Sequence, residues 1–215
     1  MPVGLHAIQI VKERNDLFAL IGKTKKDQID TSWNLRQQLA RDLGWEADAL
    51  WTMKNGYAFF TLASLKQLAR YLETALPEQI DIYRGLLQIG IHADVSITLP
   101  MTKGDYLVTQ IFCSALPVSY NNLMQGPWSP IASLILESAY ESTLLAATIQ
   151  KQRTGVGRVL LTLLGGGAFG NDPRWIYQAI KRAFTIVKDA GLNIEIVCYG
   201  QPDSLLNHFF HELNK

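Results

Sequence analysis

The chain has 215 residues, 48% of them apolar, and a formal charge of +1. It is long enough for one globular domain, or a domain with an appendage, and too apolar and too neutral to be disordered. The even charge balance argues against nucleic acid as the main partner, because neutralising phosphates takes a basic field.

The opening stretch, MPVGLHAIQIVKERND, lacks the basic start and long apolar core of a secretory signal. No run of about 18 apolar residues occurs after it, so no membrane span is expected. Residues 29–50 and 62–76 place apolar residues at helical spacing, with Leu65, Leu68, Leu72 and Leu76 on one face of the second. Thr31 or Ser32 can cap the first of these helices and Gly44 can end it. Pro77 marks a break, and residues 1–82 read as a helix-rich N-terminal section.

The texture then changes. Residues 85–99 (GLLQIGIHADVSITL) are strand-like. Residues 105–120 (DYLVTQIFCSALPVSY) begin as a buried strand that stops at Pro117. Residues 129–152 form a long helix with Ser129 as candidate N-cap, Pro130 at its first position and Gly155 just past its end. RVLLTLL (158–164) is a continuous apolar run of the kind buried on both faces. A helix over 173–191 closed by Gly191, a strand over 192–200 and a short C-terminal helix complete the chain. Alternating strands and helices from 105 to 200 imply a mainly parallel sheet covered by helices. Ligands of such sheets lie beyond the carboxyl ends of the strands. Loops 114–128 and 165–172 should therefore be spatial neighbours.

Cys113 and Cys198 lie in apolar runs and read as buried free thiols of a reduced compartment, with a disulfide as the alternative. With His6, His92, His208 and His211 they make no metal-binding spacing, so no metal is expected. His208 and His211 read as a helix end.

The sharpest signal is LLTLLGGGAFGNDPRWIYQAI, residues 160–180. Four glycines come after a strand and precede a helix. Amides of such a turn, aided by the helix dipole, suit an anion and above all a diphosphate. A tight turn without ligand is the plain alternative. Gly165-x-Gly167-x-x-Gly170 also matches the dinucleotide fingerprint, but it lies about 45 residues from the C-terminus rather than in a first βαβ unit, and no acidic residue ends the next strand. No Gly-Lys-Ser/Thr comes after it, which excludes a Walker loop.

Gly167, Phe169, Gly170, Asn171, Asp172 and Pro173 resemble the second phosphate-binding loop of the macrodomain superfamily, particularly its microbial poly(ADP-ribose) glycohydrolase branch. The stretches VTQIFCSALPVSY and YESTLLAA resemble macrodomain-like bacterial effectors that act on ADP-ribosylated arginine. The resemblance covers roughly 85–200. It implies an α/β, macrodomain-like three-layer fold with a mainly parallel or mixed sheet over 83–215, behind the helix-rich section 1–82. The first loop lacks a Gly-Gly-Gly run, and the helix after it lacks a Gln-Glu-Glu triplet, so cleavage of poly(ADP-ribose) chains is not expected.

Under that resemblance, Gly165, Gly166, Gly167, Ala168, Phe169 and Gly170 would offer amides to the diphosphate of ADP-ribose. Phe169 would pack beside the distal ribose or into the core. Asn171 would line the site or cap the next helix, and Ser119, Tyr120 and Asn121 would contact ribose or phosphate. Trp128 and Trp175 are either core or pocket wall. Cleaving the glycosidic bond takes a carboxylate to stabilise the oxocarbenium-like transition state or activate water. Glu141 is the first candidate, with Glu137 four residues earlier on the same helical face. A salt bridge is the competing reading of both. Asp94, which interrupts an apolar strand beside His92, ranks above Asp105 as a ribose, adenine or substrate-arginine contact.

The leading expectation is an ADP-ribose-binding protein that removes mono-ADP-ribose from modified protein, with ADP-ribose as ligand and no cofactor required. The alternatives are a non-catalytic ADP-ribose reader, a Rossmann-type NAD enzyme, and an interaction domain whose N-terminal section recruits a protein partner. The expected location is the cytoplasm, or a host cell reached by a route without a secretory signal.

Overall fold

Glycine and proline punctuate the chain as the sequence suggests. The structure, a computed structural model, describes residues 30–96, 106–123, 126–198 and, in the C-terminal tail, 204, 206, 207 and 209. Helix α1 (Trp33–Leu43) ends at Gly44 in the left-handed conformation, φ 67°, where the Gly44 amide bonds the Ala40 and Arg41 carbonyls. Ser32 holds the N-cap position, but its hydroxyl donates to Asp30 Oδ1 at 2.6 Å and caps no helical amide.

A short helix α2 (Ala47–Leu50) leads into a hairpin of β1 (Thr52–Lys54) and β2 (Tyr57–Phe59). Helix α3 (Leu62–Thr74) starts with a capping box between Thr61 and Ser64. It buries Leu65, Leu68 and Leu72; Leu76, expected on the same face, lies beyond its end and is 66% exposed. Pro77 opens α4 (Pro77–Leu86), so the expected boundary after residue 82 falls inside a helix.

Strands β3 (Gly90–Ser96) and β4 (Leu107–Phe112) pair antiparallel, with a register shift between His92 and Val95. Helix α5 (Ser129–Thr154) begins one residue after its N-cap Trp128, so Ser129 is the first helical residue and Pro130 the second. It ends at Gly155 as expected, and that glycine is left-handed. Strand β5 (Arg158–Thr162) leads through the glycine loop to α6 (Pro173–Val187), then through a left-handed Gly191 to β6 (Asn193–Val197). The described tail residues 204, 206, 207 and 209 are helical.

The fold is therefore a mixture of helix and strand. The strand–helix alternation from β4 to β6 is present, and β5 and β6 are parallel. Among the described residues, however, the strands form three separate two-stranded sheets rather than one. Two strands are also less buried than their composition suggests. β4 alternates exposed and half-buried residues, and β5 buries Leu161 but leaves Leu160 59% exposed. Of the two, β5 packs one face on the second core through Val159 and Leu161, and hydrophobicity alone overstated the burial of both.

The organising element is α5. It buries residues all round its axis, from Ile131 to Ala146. Ile131 and Ile135 join Leu35, Leu39, Leu65, Leu68 and Tyr83 in one core. Leu136, Tyr140 and Leu144 join Leu161, Ile176 and Ile180 in a second. The N-terminal helices and the β5–α6–β6 unit thus pack on opposite sides of one helix. Among the described residues, no helix is long and apolar enough to cross a membrane.

Candidate functional site

The glycine loop is anchored at its base by Tyr140. This α5 residue donates its hydroxyl to the Thr162 carbonyl at 2.8 Å and accepts from the Leu164 amide at 2.7 Å. Burial raises the phenol well above its ordinary pKa, so it stays protonated and keeps both bonds.

The loop then folds on itself. Amides of Gly166, Gly170 and Asn171 bond the carbonyls of Leu163, Gly167 and Gly165 at 3.0–3.1 Å. Gly165 and Gly170 are left-handed, at φ 75° and 68°. A Cβ on Gly165 would come within 2.4 Å of Ala115 Cβ, and one on Gly170 within 1.9 Å of Ser119 Oγ. These two glycines are demanded by the turn and by close chain approach. Gly167 is not: a Cβ there would meet nothing within 4 Å.

The two loops expected to adjoin do so. The Ser119 amide bonds the Phe169 carbonyl at 3.0 Å, and Asn171 Nδ2 bonds the Leu116 carbonyl at 2.8 Å. Asn171 is buried, and its Oδ1 lacks a partner among the described residues. The cap of α6 is Asp172, whose carboxylate accepts from the Arg174 amide at 2.8 Å and also pairs with the Arg174 guanidinium. That pairing holds the Asp172 carboxyl below its ordinary range.

Of the amides assigned to a diphosphate, those of Gly166 and Gly170 are therefore used within the loop. Among the described residues, the amides of Gly165, Gly167, Ala168 and Phe169 have no hydrogen-bond partner. Gly167 and Ala168 are exposed, and the run ends just before the N-terminus of α6. Two grooves flank Trp45 in the N-terminal section, and neither includes a residue of this loop. Gly166, Gly167 and Ala168 place the tip of the loop on the surface.

The half-buried ring of Phe169 packs against the second core and also meets two other rings. It lies edge-on to Tyr120 (centroids 5.4 Å apart) and to Tyr57 (5.7 Å). Ser119 and Tyr120 are exposed beside the loop. Asn121, assigned to the ligand, is instead buried. Its Oδ1 accepts from the Phe60 amide, and its Nδ2 donates to the Ala58 and Pro117 carbonyls, at 2.9–3.1 Å. It staples the β1–β2 hairpin to the first loop. Trp128 is core, against Phe60, and Trp175 packs half-buried on the core.

The carboxylates assigned to catalysis are not gathered at the loop. Glu141 is buried and paired with Arg182, which sits about 13 Å along α6 from its N-terminal end. Glu137 pairs with Arg84 of α4 at 2.7 Å. Asp81 bonds both arginines and completes an interhelical charge network. Asp94 sits in the β3 irregularity at φ 56°, exposed, bound by Arg153 and Gln150. Arg153 holds its carboxyl below the ordinary range. Arg153 lies about 20 Å along α5 from Tyr140 at the loop's base. For Glu137 and Glu141 the geometry supports the salt-bridge reading, and Asp94 too is held by an arginine.

Asp105, His6, His208 and His211 lie outside the described residues. Cys113 and Cys198 are both free thiols, half-buried rather than fully buried, and burial pushes the Cys113 thiol up. No group of metal-binding side chains occurs among the described residues.

Two contributors were missed by sequence reasoning. Tyr140 stands beside the favoured Glu141, in the same YESTLLAA stretch, but on the helical face that meets β5. Tyr57 lies in a section without any recognised motif; the Asn55-Gly56 turn before it was the signal that could have placed it. No protein-family model, no curated protein and no solved structure matches this chain.

Proposed function

We propose that the chain is an ADP-ribose-binding module with a macrodomain-like architecture, which recognises ADP-ribose or protein carrying it without cleaving it. The observation that carries this reading is the run of unpartnered amides at Gly167, Ala168 and Phe169, just before the start of α6, with Gly167 and Ala168 exposed. Amides so placed suit a diphosphate, and the α6 dipole adds to the attraction. A side chain at Gly167 would obstruct that approach without being excluded by the fold.

The reader is favoured over the hydrolase because Glu137, Glu141 and Asp94 are each bound by arginine, away from the loop. Hydrolysis stands as the second reading on one observation: Asp172 is a carboxylate within the loop, and its arginine partner is exposed, so a ligand can displace it.

The test is calorimetric titration with ADP-ribose, with NAD, AMP and a Gly167→Val variant as controls. Gly167-dependent binding of ADP-ribose, tighter than that of NAD, is expected. Absence of binding at millimolar ligand would end this reading, and NAD binding as tight as ADP-ribose would favour the Rossmann alternative. Release of free ADP-ribose from a mono-ADP-ribosylated protein, lost in Asp172→Asn, would favour the hydrolase.

A further inference from the structure

We infer that Tyr57, on the N-terminal hairpin, is a ligand-contact residue of the glycine-loop site, where it joins Tyr120 and Phe169 in an aromatic wall that takes the sugar or base of a nucleoside-diphosphate ligand. The inference rests on the diphosphate reading of the glycine loop and goes beyond it, because bare phosphate has no use for rings.

Three segments distant in sequence bring these rings together. Tyr57 and Tyr120 are edge-to-face at 5.5 Å, and each meets Phe169 at 5.4–5.7 Å with interplanar angles of 77–87°. Aromatic clusters of this geometry are usually core. Here Tyr57 stays 37% exposed and Tyr120 43%. Neither phenol hydroxyl has a hydrogen-bond partner among the described residues. The wall therefore presents apolar ring surface and two available hydroxyls, the chemistry that suits a ribose or a purine.

Its position is fixed by hydrogen bonds to the main chain rather than by the rings. Asn55 and Gly56 are left-handed, at φ 54° and 79°, which makes the tight turn that delivers Tyr57 to the start of β2. Asn121 ties β2 to the first loop, and the Ser119 amide ties the first loop to the Phe169 carbonyl. Phe169 carries both a ring of the wall and one of the unpartnered amides. A diphosphate on those amides would therefore place its attached nucleoside or sugar within reach of the rings.

The experiment titrates ADP-ribose and inorganic pyrophosphate separately against the full chain, Tyr57→Ala, Tyr57→Phe and Gly167→Val, with melting temperatures for each. Stacking energies on aromatic side chains predict that Tyr57→Ala weakens ADP-ribose binding about tenfold or more. Tyr57→Phe should retain most of the affinity, and pyrophosphate binding should not change in either. Gly167→Val should weaken both ligands. If Tyr57→Ala unfolds the hairpin, Tyr57→Leu removes the ring while keeping apolar bulk and carries the same comparison. ADP-ribose binding unchanged by loss of the ring overturns the inference and leaves the diphosphate reading standing. Failure of both ligands to bind the unmodified chain overturns both.

Discussion

Glu141 is joined to Arg182 where α5 meets α6, and the charges continue through Asp81 to Arg84 and Glu137. Removing one member leaves a half-buried guanidinium without its main partner. Glu141→Ala should therefore destabilise the fold, toward the lower end of the roughly 3–5 kcal/mol typical of broken buried pairs, because Arg182 keeps some solvent and Asp81. Chemical denaturation measures this. ADP-ribose affinity of the folded variant should be unchanged, and a selective loss of affinity at unchanged stability would return Glu141 to the site.

The glycines of the loop should separate by role. Gly165→Ala should cost more than the roughly 1–2 kcal/mol of a left-handed alanine, because Ala115 and Asn171 stand in its way. Gly167→Ala should change stability by no more than about 0.5 kcal/mol, as an exposed site with free space does. Thermal melts of the two variants side by side decide the matter.

Asp172 combines a cap with a charge, and the two can be told apart by pH. Its folded pKa is depressed, so its charge contribution is complete above the ordinary aspartate range and is lost as pH falls through the folded value, below about 4. Asp172→Asn keeps a good capping residue and removes the charge. At pH 7 it should be less stable by no more than about 1 kcal/mol, because the Arg174 partner is exposed. The difference from the unmodified chain should shrink toward pH 3. Melting temperature against pH for both chains gives the comparison.

Tyr140→Phe removes only an oxygen, yet it leaves the Leu164 amide and the Thr162 carbonyl without that partner. The two groups keep a bond to each other at 3.0 Å, so a loss of about 1 kcal/mol, the net worth of an ordinary hydrogen bond, is expected. Faster amide exchange at Leu164 would show that the loop base has loosened. An unchanged exchange rate would mean that β5 holds the loop by itself.

The parts of this molecule that were legible in the sequence are those where local chemistry decides. Gly44, Gly155 and Gly191 end helices because only glycine adopts the left-handed conformation cheaply. Pro77, Pro130 and Pro173 stand in first helical turns because their missing amides cost nothing there. The glycine loop was legible for the same reason; its meeting with the 114–128 loop, which does occur, was expected from a single sheet that the described strands do not form.

The illegible parts depend on partners far along the chain. Nothing near Glu141 says that residue 182 is an arginine one helix away. Nothing near Asn121 says that residues 58 and 60 will pass within hydrogen-bond reach. The burial of β4 and β5 was overread for a related reason: an apolar strand looks the same in sequence whether one or both faces are covered. Tyr57 escaped notice because a lone tyrosine after a turn acquires meaning only once two other rings arrive beside it.

The placement of α5 between the two cores has a consequence for how the molecule can come apart. Its buried faces belong equally to the N-terminal helices and to the β5–α6–β6 unit, so neither half can melt without stripping one side of the same rod. The N-terminal helices are then no removable accessory. A single cooperative transition should take the hairpin, the charge network and the glycine loop together. A fragment starting at residue 83 would present Ile131, Ile135 and Trp128 to water and would clump rather than fold.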